Sequence, residues 1–257
     1  MDGLLLIDKP QGWSSFDVIR KLRVTLGADH KGSNAGKENA GQDGEQNSQS
    51  GARPSKMGHA GTLDPMATGL LMVLVGRATK QQEQFMGLEK TYQAEVTLGA
   101  TSSTDDAEGT IYPAGDQPAG GEPSSNPQPE EKQVQKLLEQ FRGTTQQVPP
   151  QYSAVKVEGQ RAYALARNGA EVELEPRSVV VYEISAVVYQ YPTLRFMARV
   201  SSGTYLRSLA RDIGQSLGTG GYLSSLRRVA IGDYSVEAAV SPESDKAHIS
   251  AAIRPTD

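Results

Sequence analysis

The chain lacks cysteine altogether and contains only three histidines in 257 residues. Disulfides, thiolate nucleophiles and cysteine-bound zinc are therefore excluded, and His30, His59 and His248 are too scattered in sequence to suggest a metal site. No apolar run approaches the length of a membrane-spanning helix, and the first residues lack the basic segment of a secretory signal. We therefore expect a soluble, cytoplasmic protein with no bound metal and no membrane contact.

Two segments are poor in the large apolar residues that build a core. From Gly27 to Ser55 there is no Val, Ile, Leu, Met, Phe, Tyr or Trp. Such a segment cannot bury enough apolar surface to offset its ordering entropy, so residues 27–55 are predicted to be a disordered insertion. Residues 105–131 hold seven acidic residues and no basic one. With their glycines and prolines they are predicted to form an acidic loop.

The charge of the chain is unevenly distributed. The formal net charge is −4, which is opposite in sign to the basic surface expected of an RNA-binding protein. Arg177–Arg228, however, carries seven arginines against two acidic residues. This distribution permits a positive surface, with the excess acid placed in the loop. Arginines scattered over a solvated surface would give the same count.

The most informative stretch is Lys56–Lys80, KMGHAGTLDPMATGLLMVLVGRATK. In its first half Asp64 stands directly before Pro65, which disfavours the helical region for the preceding residue. Its second half, Leu70–Val75, is a continuous apolar run typical of a strand buried on both faces. A carboxylate on a loop held by a buried strand is a common catalytic arrangement. From the residues alone, a turn-capping Asp64 is the commoner case, because Asp-Pro pairs favour turns.

Strand and helix patterns alternate along the rest of the chain. Strands are indicated by period-two alternation or short apolar runs, and helices by apolar residues at helical spacing after a capping residue. This mixture indicates that both strands and helices build the domain. The predicted elements are strands at 3–7, 92–98, 179–188 and 194–200, and helices that begin after Ser14 or Ser15, near Val134 and after Thr204.

Four blocks together resemble the TruB family of tRNA pseudouridine synthases. The first is GHAGTLDPMATGLL in the stretch above, and the second is the opening GLLLIDKPQGWSSFDVIRKLR. The others are SSGTYLRSL at 201–209 and YLSSLRR at 222–228. The blocks occur in order and span most of the chain outside the two loops. The resemblance therefore covers the chain as a whole.

The resemblance implies a fold, a domain division and an activity. The fold would be the α+β pseudouridine synthase fold, a mixed, mainly antiparallel central sheet flanked by helices, with a thumb-like insertion near 113–143. Residues 1–234 would form the catalytic domain. Residues 235–257 would be a short C-terminal tail, too short for a complete RNA-binding domain. The activity would be isomerisation of uridine to pseudouridine in tRNA, at uridine 55 of the TΨC loop, without a cofactor.

The resemblance also assigns three catalytic residues. Asp64 would be the catalytic carboxylate, and Tyr92 the active-site tyrosine that stacks on the flipped uracil and assists proton transfer. A buried carboxylate needs a compensating charge. Arg207 is our candidate for it, through a bidentate pair at a helix N-terminus. The alternative for Tyr92 is a packed strand aromatic, and for Arg207 a helix-surface side chain.

Four further residues would contact the RNA. Tyr205 and Leu226 correspond to family positions that line the base pocket, and His59 to the histidine that fills the RNA loop when the target base is extruded. Lys9 lies in the Lys-Pro turn that the family places beside the active site. Without the resemblance, an exposed turn lysine would be the preferred interpretation. The partner would be the T-arm of tRNA, bound by a monomer without an obligatory protein partner.

Three other functions compete with this one. An RNA-guided pseudouridine synthase subunit would need its C-terminal RNA-binding domain and protein partners. A catalytically idle tRNA-folding chaperone would be expected to lose the carboxylate, yet Asp64, Tyr92 and Arg207 are all present. A glycoside-type hydrolase would need a second carboxylate as acid or base, and the matched loop holds none besides Asp64.

Overall fold

The computed structural model describes residues 2–27, 56–113, 128–153, 156–157, 160–161 and 174–256. All but the first residue of the predicted insertion 27–55 lie outside the described residues. So does the centre of the predicted acidic loop, 114–127. The first part of that loop, 105–113, is described and belongs to the candidate site.

Helices flank a central sheet in the part of the chain that the structure describes. The helices are α1 (Ser15–Leu26), α2 (Gln82–Gly87), α3 (Glu131–Gln140), α4 (Leu206–Ser216) and α5 (Lys246–Ala251), with 3₁₀ turns at Gly76–Gln81 and Val236–Ala238. The strands are β1 (Gly3–Lys9), β2 (Met57–His59), β3 (Thr68–Val75), β4 (Lys90–Leu98), β5 (Ala100–Ser102), β6 (Ile111–Pro113), β7 (Gly143–Gln147), β8 (Lys156–Val157), β9 (Gln160–Arg161), β10 (Arg177–Gln190), β11 (Thr193–Val200), β12 (Gly221–Ile231) and β13 (Tyr234–Ser235).

The central sheet has nine strands. Seven follow the order β1-β3-β12-β4-β11-β10-β7, while β2 pairs with β3 and β13 with β12. Every pair is antiparallel except β3 with β12. Two short hairpins, β5-β6 and β8-β9, lie apart from it. The predicted α+β fold with a mixed, mainly antiparallel sheet is confirmed.

Strand β3 is buried on both faces, as its unbroken apolar sequence predicts. Leu71, Val73 and Val75 pack on the face that α1 covers, and their neighbours on the strand pack on the other face with Phe85 and Ile231. Seven of the eight strand residues are buried. β3 therefore gives the loop 60–67, which precedes it, a rigid support.

The N-termini of α1 and α4 are capped in different ways. Ser14 caps α1, since its hydroxyl accepts from the N–H of Asp17 at 3.1 Å. The prediction that Thr204 caps α4 is wrong, because the N-cap residue is Tyr205 and its side chain makes no capping bond. The Thr204 hydroxyl is bonded to that of Ser201 at 3.1 Å instead. Tyr205 and Arg207 nevertheless lie at the N-terminal end of α4, as predicted.

The residues after β13 pack against the sheet. Leu4 and Arg254 exchange two backbone hydrogen bonds, of 2.7 and 2.8 Å, and Val240 bonds to both Leu6 and Asp8 at 3.0 Å. Ile249 of α5 is fully buried in the cluster beneath α1. The predicted tail therefore covers the edge strand β1.

Helix α3 lies in the region predicted to be a thumb-like insertion. Val134 and Leu138 pack into the main core cluster with β10 and α4. Its closure on RNA stays a prediction. Within the described residues, no helix has both the length and the apolar character needed to cross a bilayer.

Candidate active site

The loop 60–67 has a bonding partner for each backbone carbonyl around Asp64. Arg228 donates to the carbonyls of Gly61 and Thr62 at 3.2 and 3.3 Å. The Leu63 carbonyl accepts from the Ser15 hydroxyl, and the Asp64 carbonyl from the N–H of Ala67. The Pro65 carbonyl accepts from Lys9 and from the N–H of Gly12. Because buried carbonyls need such partners, this network specifies one loop conformation.

Lys9 is one of these supports, and the interpretation of it as an exposed turn lysine is wrong. It is 0% exposed. Its ammonium group donates to the carbonyls of Pro10, Trp13 and Pro65 at 3.0, 2.6 and 3.3 Å. Burial lowers the pKa of Lys9 to about 8, while nearby Asp64 acts in the opposite direction. Lys9 therefore links β1, the turn before α1 and the loop 60–67.

Arg228 is the second buried cation under the loop. It is 1% exposed and also donates from Nε to the Leu70 carbonyl at 2.7 Å. Gly69 on the adjacent strand has φ +100°, and a Cβ there would clash with the backbone of Arg228. A glycine at this position lets β3 and β12 approach closely enough for the guanidinium to reach the loop. The sequence pattern did not reveal this contribution of Arg228.

Asp64 and Arg207 are in direct ionic contact. Arg207 Nε lies 3.1 Å from Asp64 Oδ2, with the arginine side chain 7% and the aspartate side chain 34% exposed. The Arg207 Nε–H makes no hydrogen bond of acceptable geometry within the described residues. The expected bidentate pair is therefore wrong, and the contact is a single ionic one. The predicted juxtaposition of the two residues is nevertheless present.

Arg207 is shared with a second carboxylate, that of Asp106, which the sequence interpretation missed. Arg207 Nη1 lies 3.5 Å from Asp106 Oδ2. Its remaining donors reach the carbonyls of Thr104 at 3.4 Å and Tyr152 at 3.0 Å. The sequence analysis placed Asp106 in the acidic loop 105–131 and gave it no role in the site. Here arginine and acid are paired, rather than segregated into a basic surface and an acidic loop.

Tyr92 and Leu226 lie in the same core cluster as the residues that flank Asp64. Tyr92 is 8% and Leu226 6% exposed, and both belong to the cluster that contains Leu63 and Met66. β12 places Leu226 opposite Ala94, two residues along β4 from Tyr92. The packed-aromatic interpretation of Tyr92 is thus confirmed, and its position next to the catalytic loop also fits the proposed active-site role.

Tyr205 is held at the start of α4 by Gln147, another residue that the sequence interpretation did not single out. Gln147 accepts from the Tyr205 N–H at 2.9 Å and donates to its carbonyl at 3.1 Å. Burial raises the pKa of the Tyr205 phenol, and the neighbouring Ser153 acts in the opposite direction. Asp64 is close enough to raise that pKa further. Tyr205 therefore lies at the site, as predicted.

His59 lies on β2 at the entrance to the catalytic loop. Burial lowers the pKa of His59, and the positive charge of Arg228 lowers it further. Its backbone carbonyl accepts from Gln82 at 3.0 Å, whereas its buried Nδ1 has no hydrogen-bond partner. The neutral imidazole is favoured, which suits stacking better than ion pairing. The structure brings His59 close enough to Arg228 for this charge to affect it, a proximity that the sequence did not predict.

Comparison with known proteins identifies the class of fold and the family. The structure resembles that of a Cbf5-Nop10-Gar1 complex with a TM-score of 0.62 at 24% identity, over 93% of this chain and 52% of that chain. It also resembles an H/ACA RNP bound to a substrate RNA containing 2′-deoxyuridine, with a TM-score of 0.59 at 22% identity, over 93% of this chain and 50% of that chain. The chain spans about half the length of these solved relatives. The predicted pseudouridine synthase fold is confirmed.

Sequence comparison is more specific. The TruB family pseudouridylate synthase N-terminal domain matches residues 49–206, and the tRNA pseudouridylate synthase B C-terminal domain matches residues 207–252. tRNA pseudouridine synthase B of Aquifex aeolicus is 40% identical over 245 residues, which cover 95% of this chain and 73% of that protein. The Thermobifida fusca protein of that name is 41% identical over 248 residues, covering 93% and 73%. The chain belongs to the TruB family of pseudouridylate synthases.

Proposed function

We propose that this protein isomerises uridine to pseudouridine in tRNA, at uridine 55 of the TΨC loop, with Asp64 as the catalytic carboxylate. Relatives that share about two fifths of its residues over most of the chain are named tRNA pseudouridine synthase B. The observation that carries the residue assignment is the contact of Asp64 with Arg207, on a loop whose backbone carbonyls from Gly61 to Pro65 are all bonded.

The reaction breaks the C1′–N1 bond, turns the base and rejoins it through C5. It needs neither an outside atom nor net oxidation or reduction. It does need a carboxylate near C1′, as a nucleophile or as the group that steers a proton from C2′. Asp64 is one-third exposed, so its carboxylate is accessible, and Arg207 supplies the compensating positive charge. The positive end of α4 adds to that charge.

The remaining site residues would bind and turn the nucleotide. Reaching C1′ and N1 requires extrusion of the uridine from the folded RNA loop. Tyr92 would then stack on the uracil and assist proton transfer, while Tyr205 and Leu226 line the pocket beside it. His59, held neutral by burial and by Arg228, would fill the space that the base leaves. Lys9 would act through the loop backbone, since its amine is already bonded to three carbonyls.

The bonding of Asp106 argues against the hydrolase alternative. A hydrolase needs a second carboxylate that is free to act as acid or base. Asp106 Oδ2 lies 3.5 Å from Arg207, and its other oxygen accepts from the Thr104 hydroxyl and from the N–H of Glu108. This carboxylate is therefore bound to protein groups through both oxygens.

We further propose that the protein acts on the T-arm of tRNA as a cytoplasmic monomer, without an obligatory protein partner or membrane contact. A folded RNA element of this kind is recognised by its shape and its splayed loop bases. The RNA-guided and chaperone alternatives differ in what they need. The first requires a guide RNA and partner proteins, and the second requires no chemistry at Asp64.

One experiment separates these functions. Purified protein alone is incubated with an unmodified tRNA transcript, and pseudouridine is mapped along the RNA. Pseudouridine at position 55 is expected, and a transcript with cytidine at that position should gain none. Asp64→Asn should bind the transcript without modifying it. Activity that appears only after a guide RNA or partner is added would contradict the proposal, and so would binding by the wild type without modification.

A further inference from the structure

The turn 103–109 is fixed to α4 by two neighbouring ion pairs, of which the proposed function uses one. Arg207 Nη1 lies 3.5 Å from Asp106 Oδ2. One helical turn further on, Arg211 Nη1 lies 3.0 Å from Asp105 Oδ2 and donates a hydrogen bond to it. Residues four apart share a helix face. The two arginines therefore present neighbouring guanidinium groups to two consecutive carboxylates.

The backbone at Asp105 makes this pairing possible. In extended backbone, consecutive side chains point to opposite faces. Asp105 has a left-handed conformation with φ 62°, which turns the chain so that both carboxylates reach α4. This conformation is unfavourable for most residues with a Cβ, although Asp and Asn tolerate it. The Asp105 carbonyl accepts from Leu223 on β12 at 3.0 Å, which ties the turn to the sheet as well.

Both arginines also reach a second segment. Arg211 Nη2 donates to the Val148 carbonyl at 3.0 Å, and Arg207 Nη2 to the Tyr152 carbonyl at 3.0 Å. Each arginine therefore bridges the turn 103–109 and residues 148–152. The Arg211 and Asp105 side chains are 28% and 18% exposed, against 7% and 4% for Arg207 and Asp106. The Arg211 pair is thus the outer of two bridges built on one plan.

We infer that the outer pair, Arg211 with Asp105, is a positioning element for the isomerisation. It holds the turn in the conformation that brings Asp106 to Arg207, and so fixes the guanidinium that faces Asp64. This inference rests on the proposed function. Neither Arg211 nor Asp105 contacts Asp64, so the pair acts through Asp106 and Arg207.

The test measures two quantities on an unmodified tRNA transcript: the single-turnover rate with enzyme in excess, and the Kd. Arg211→Gln and Asp105→Asn are each expected to lower the rate at least about fivefold and to change the Kd less than about twofold, because misplacement affects chemistry before binding. Asn tolerates the left-handed backbone, so Asp105→Asn removes mainly the charge. Arg195→Gln, which breaks the exposed pair with Glu95, is the matched control and should change neither quantity.

A merely structural role is distinguished by repeating Arg211→Gln in the Asp106→Asn background. If the outer pair acts through Asp106, the second substitution should lower the rate of that variant by less than about twofold. The inference is wrong if the loss is additive, if it lies in the Kd alone, or if Arg211→Gln matches Arg195→Gln. Thermal melting checks that each variant is folded.

If Arg211→Gln fails to fold, Arg211→Lys replaces it with the same expectation, because one ammonium cannot reproduce the planar fork. Wild-type protein that forms no pseudouridine would instead overturn the proposed function, and the inference with it.

Discussion

Ser15 and Leu63 are joined by two hydrogen bonds that fix the residue preceding Asp64. The Ser15 hydroxyl donates to the Leu63 carbonyl at 3.1 Å and accepts from the Leu63 N–H at 2.9 Å. Ser15 is 3% exposed, so solvent has little access to these groups. One hydroxyl at the start of α1 therefore satisfies both backbone groups of Leu63.

Ser15→Ala should destabilise the protein and slow it. Two backbone groups would lose their partner in a buried place, which costs about 1–3 kcal/mol. Urea unfolding measures that loss, and single-turnover kinetics on tRNA should show a rate at least about threefold lower, since the loop is less well held. Ser14→Ala is the control, because it removes the cap of the same helix without touching Leu63. Equal rates for the two variants would mean that the Ser15 bonds do not position Asp64.

Asp64→Asn should abolish isomerisation while keeping the fold and tRNA binding. The amide is nearly isosteric with the carboxylate but carries no charge for C1′ or for Arg207. A turn aspartate without a catalytic role would change the rate little, and stability by well under about 1 kcal/mol. Pseudouridine formation measured over long incubations decides between the two. Turnover within about tenfold of the wild-type rate would rule out a catalytic Asp64.

Arg207→Lys should lower the single-turnover rate at least about tenfold with only a slight change in tRNA affinity. The guanidinium reaches Asp64 through Nε, Asp106 and the Thr104 carbonyl through Nη1, and the Tyr152 carbonyl through Nη2. One ammonium cannot serve all four, and losing one charged bond costs about 1.5–3 kcal/mol. Arg195→Lys, at an exposed pair, provides the comparison. Equal rates in the two variants would return Arg207 to the role of a structural side chain.

The free energy of unfolding should gain a pH-dependent term from Lys90. Its buried ammonium group donates to the carbonyls of Met86 and Leu88, and burial lowers its pKa from 10.5 to about 8. Between those pH values the unfolded chain binds more protons than the folded one, so this term raises stability as pH rises. At neutral pH the term is unfavourable, because the folded protein must keep a buried charge.

Lys90→Met tests that sign. The free energy of unfolding of the wild type minus that of the variant should increase between pH 7 and pH 10, by up to a few kcal/mol at about 1.4 kcal/mol per unit of pKa shift. Urea unfolding at each pH gives the difference. Lys136→Met, at an exposed position of α3, should show a flat difference. A flat or falling difference for Lys90→Met would contradict the burial effect.

Local sequence was sufficient where one segment sets its own conformation. The unbroken apolar run predicted β3, and the Asp-Pro pair predicted an extended or turn conformation at Asp64. Helical spacing predicted that Tyr205 and Arg207 lie at the N-terminal end of α4, where the structure has them. It was less reliable for caps, because Gln147, distant in sequence, bonds to the backbone of Tyr205 where a Thr204 cap was expected.

Predictions were wrong where the environment of a side chain depends on residues that are distant in sequence. Lys9 has the sequence context of an exposed turn. In the structure its ammonium group is enclosed by the carbonyls of Pro10 and Trp13, in the turn before α1, and of Pro65 in the loop 60–67. Asp105 and Asp106 belong to an acidic segment, yet they pair with arginines more than 100 residues away. The separation of charge that composition suggested therefore does not hold for these two residues. The prediction of a bidentate Asp64–Arg207 pair was wrong for the same reason. Residues distant in sequence, Asp106 among them, also bind the Arg207 guanidinium.

The sequence by itself determined the family and with it the fold class, and it located the loop that carries Asp64 and the buried strand that supports this loop. These depend on periodicity and on contiguous motifs, which the chain carries in its own order. Tertiary structure alone decided that Arg228 and Lys9 hold the loop carbonyls from below, and that Asp106 shares Arg207 with Asp64. Those contacts join β1, β3, β12, α4 and the turn 103–109. Their geometry is set by sheet register and by burial, quantities that no local pattern of residues contains.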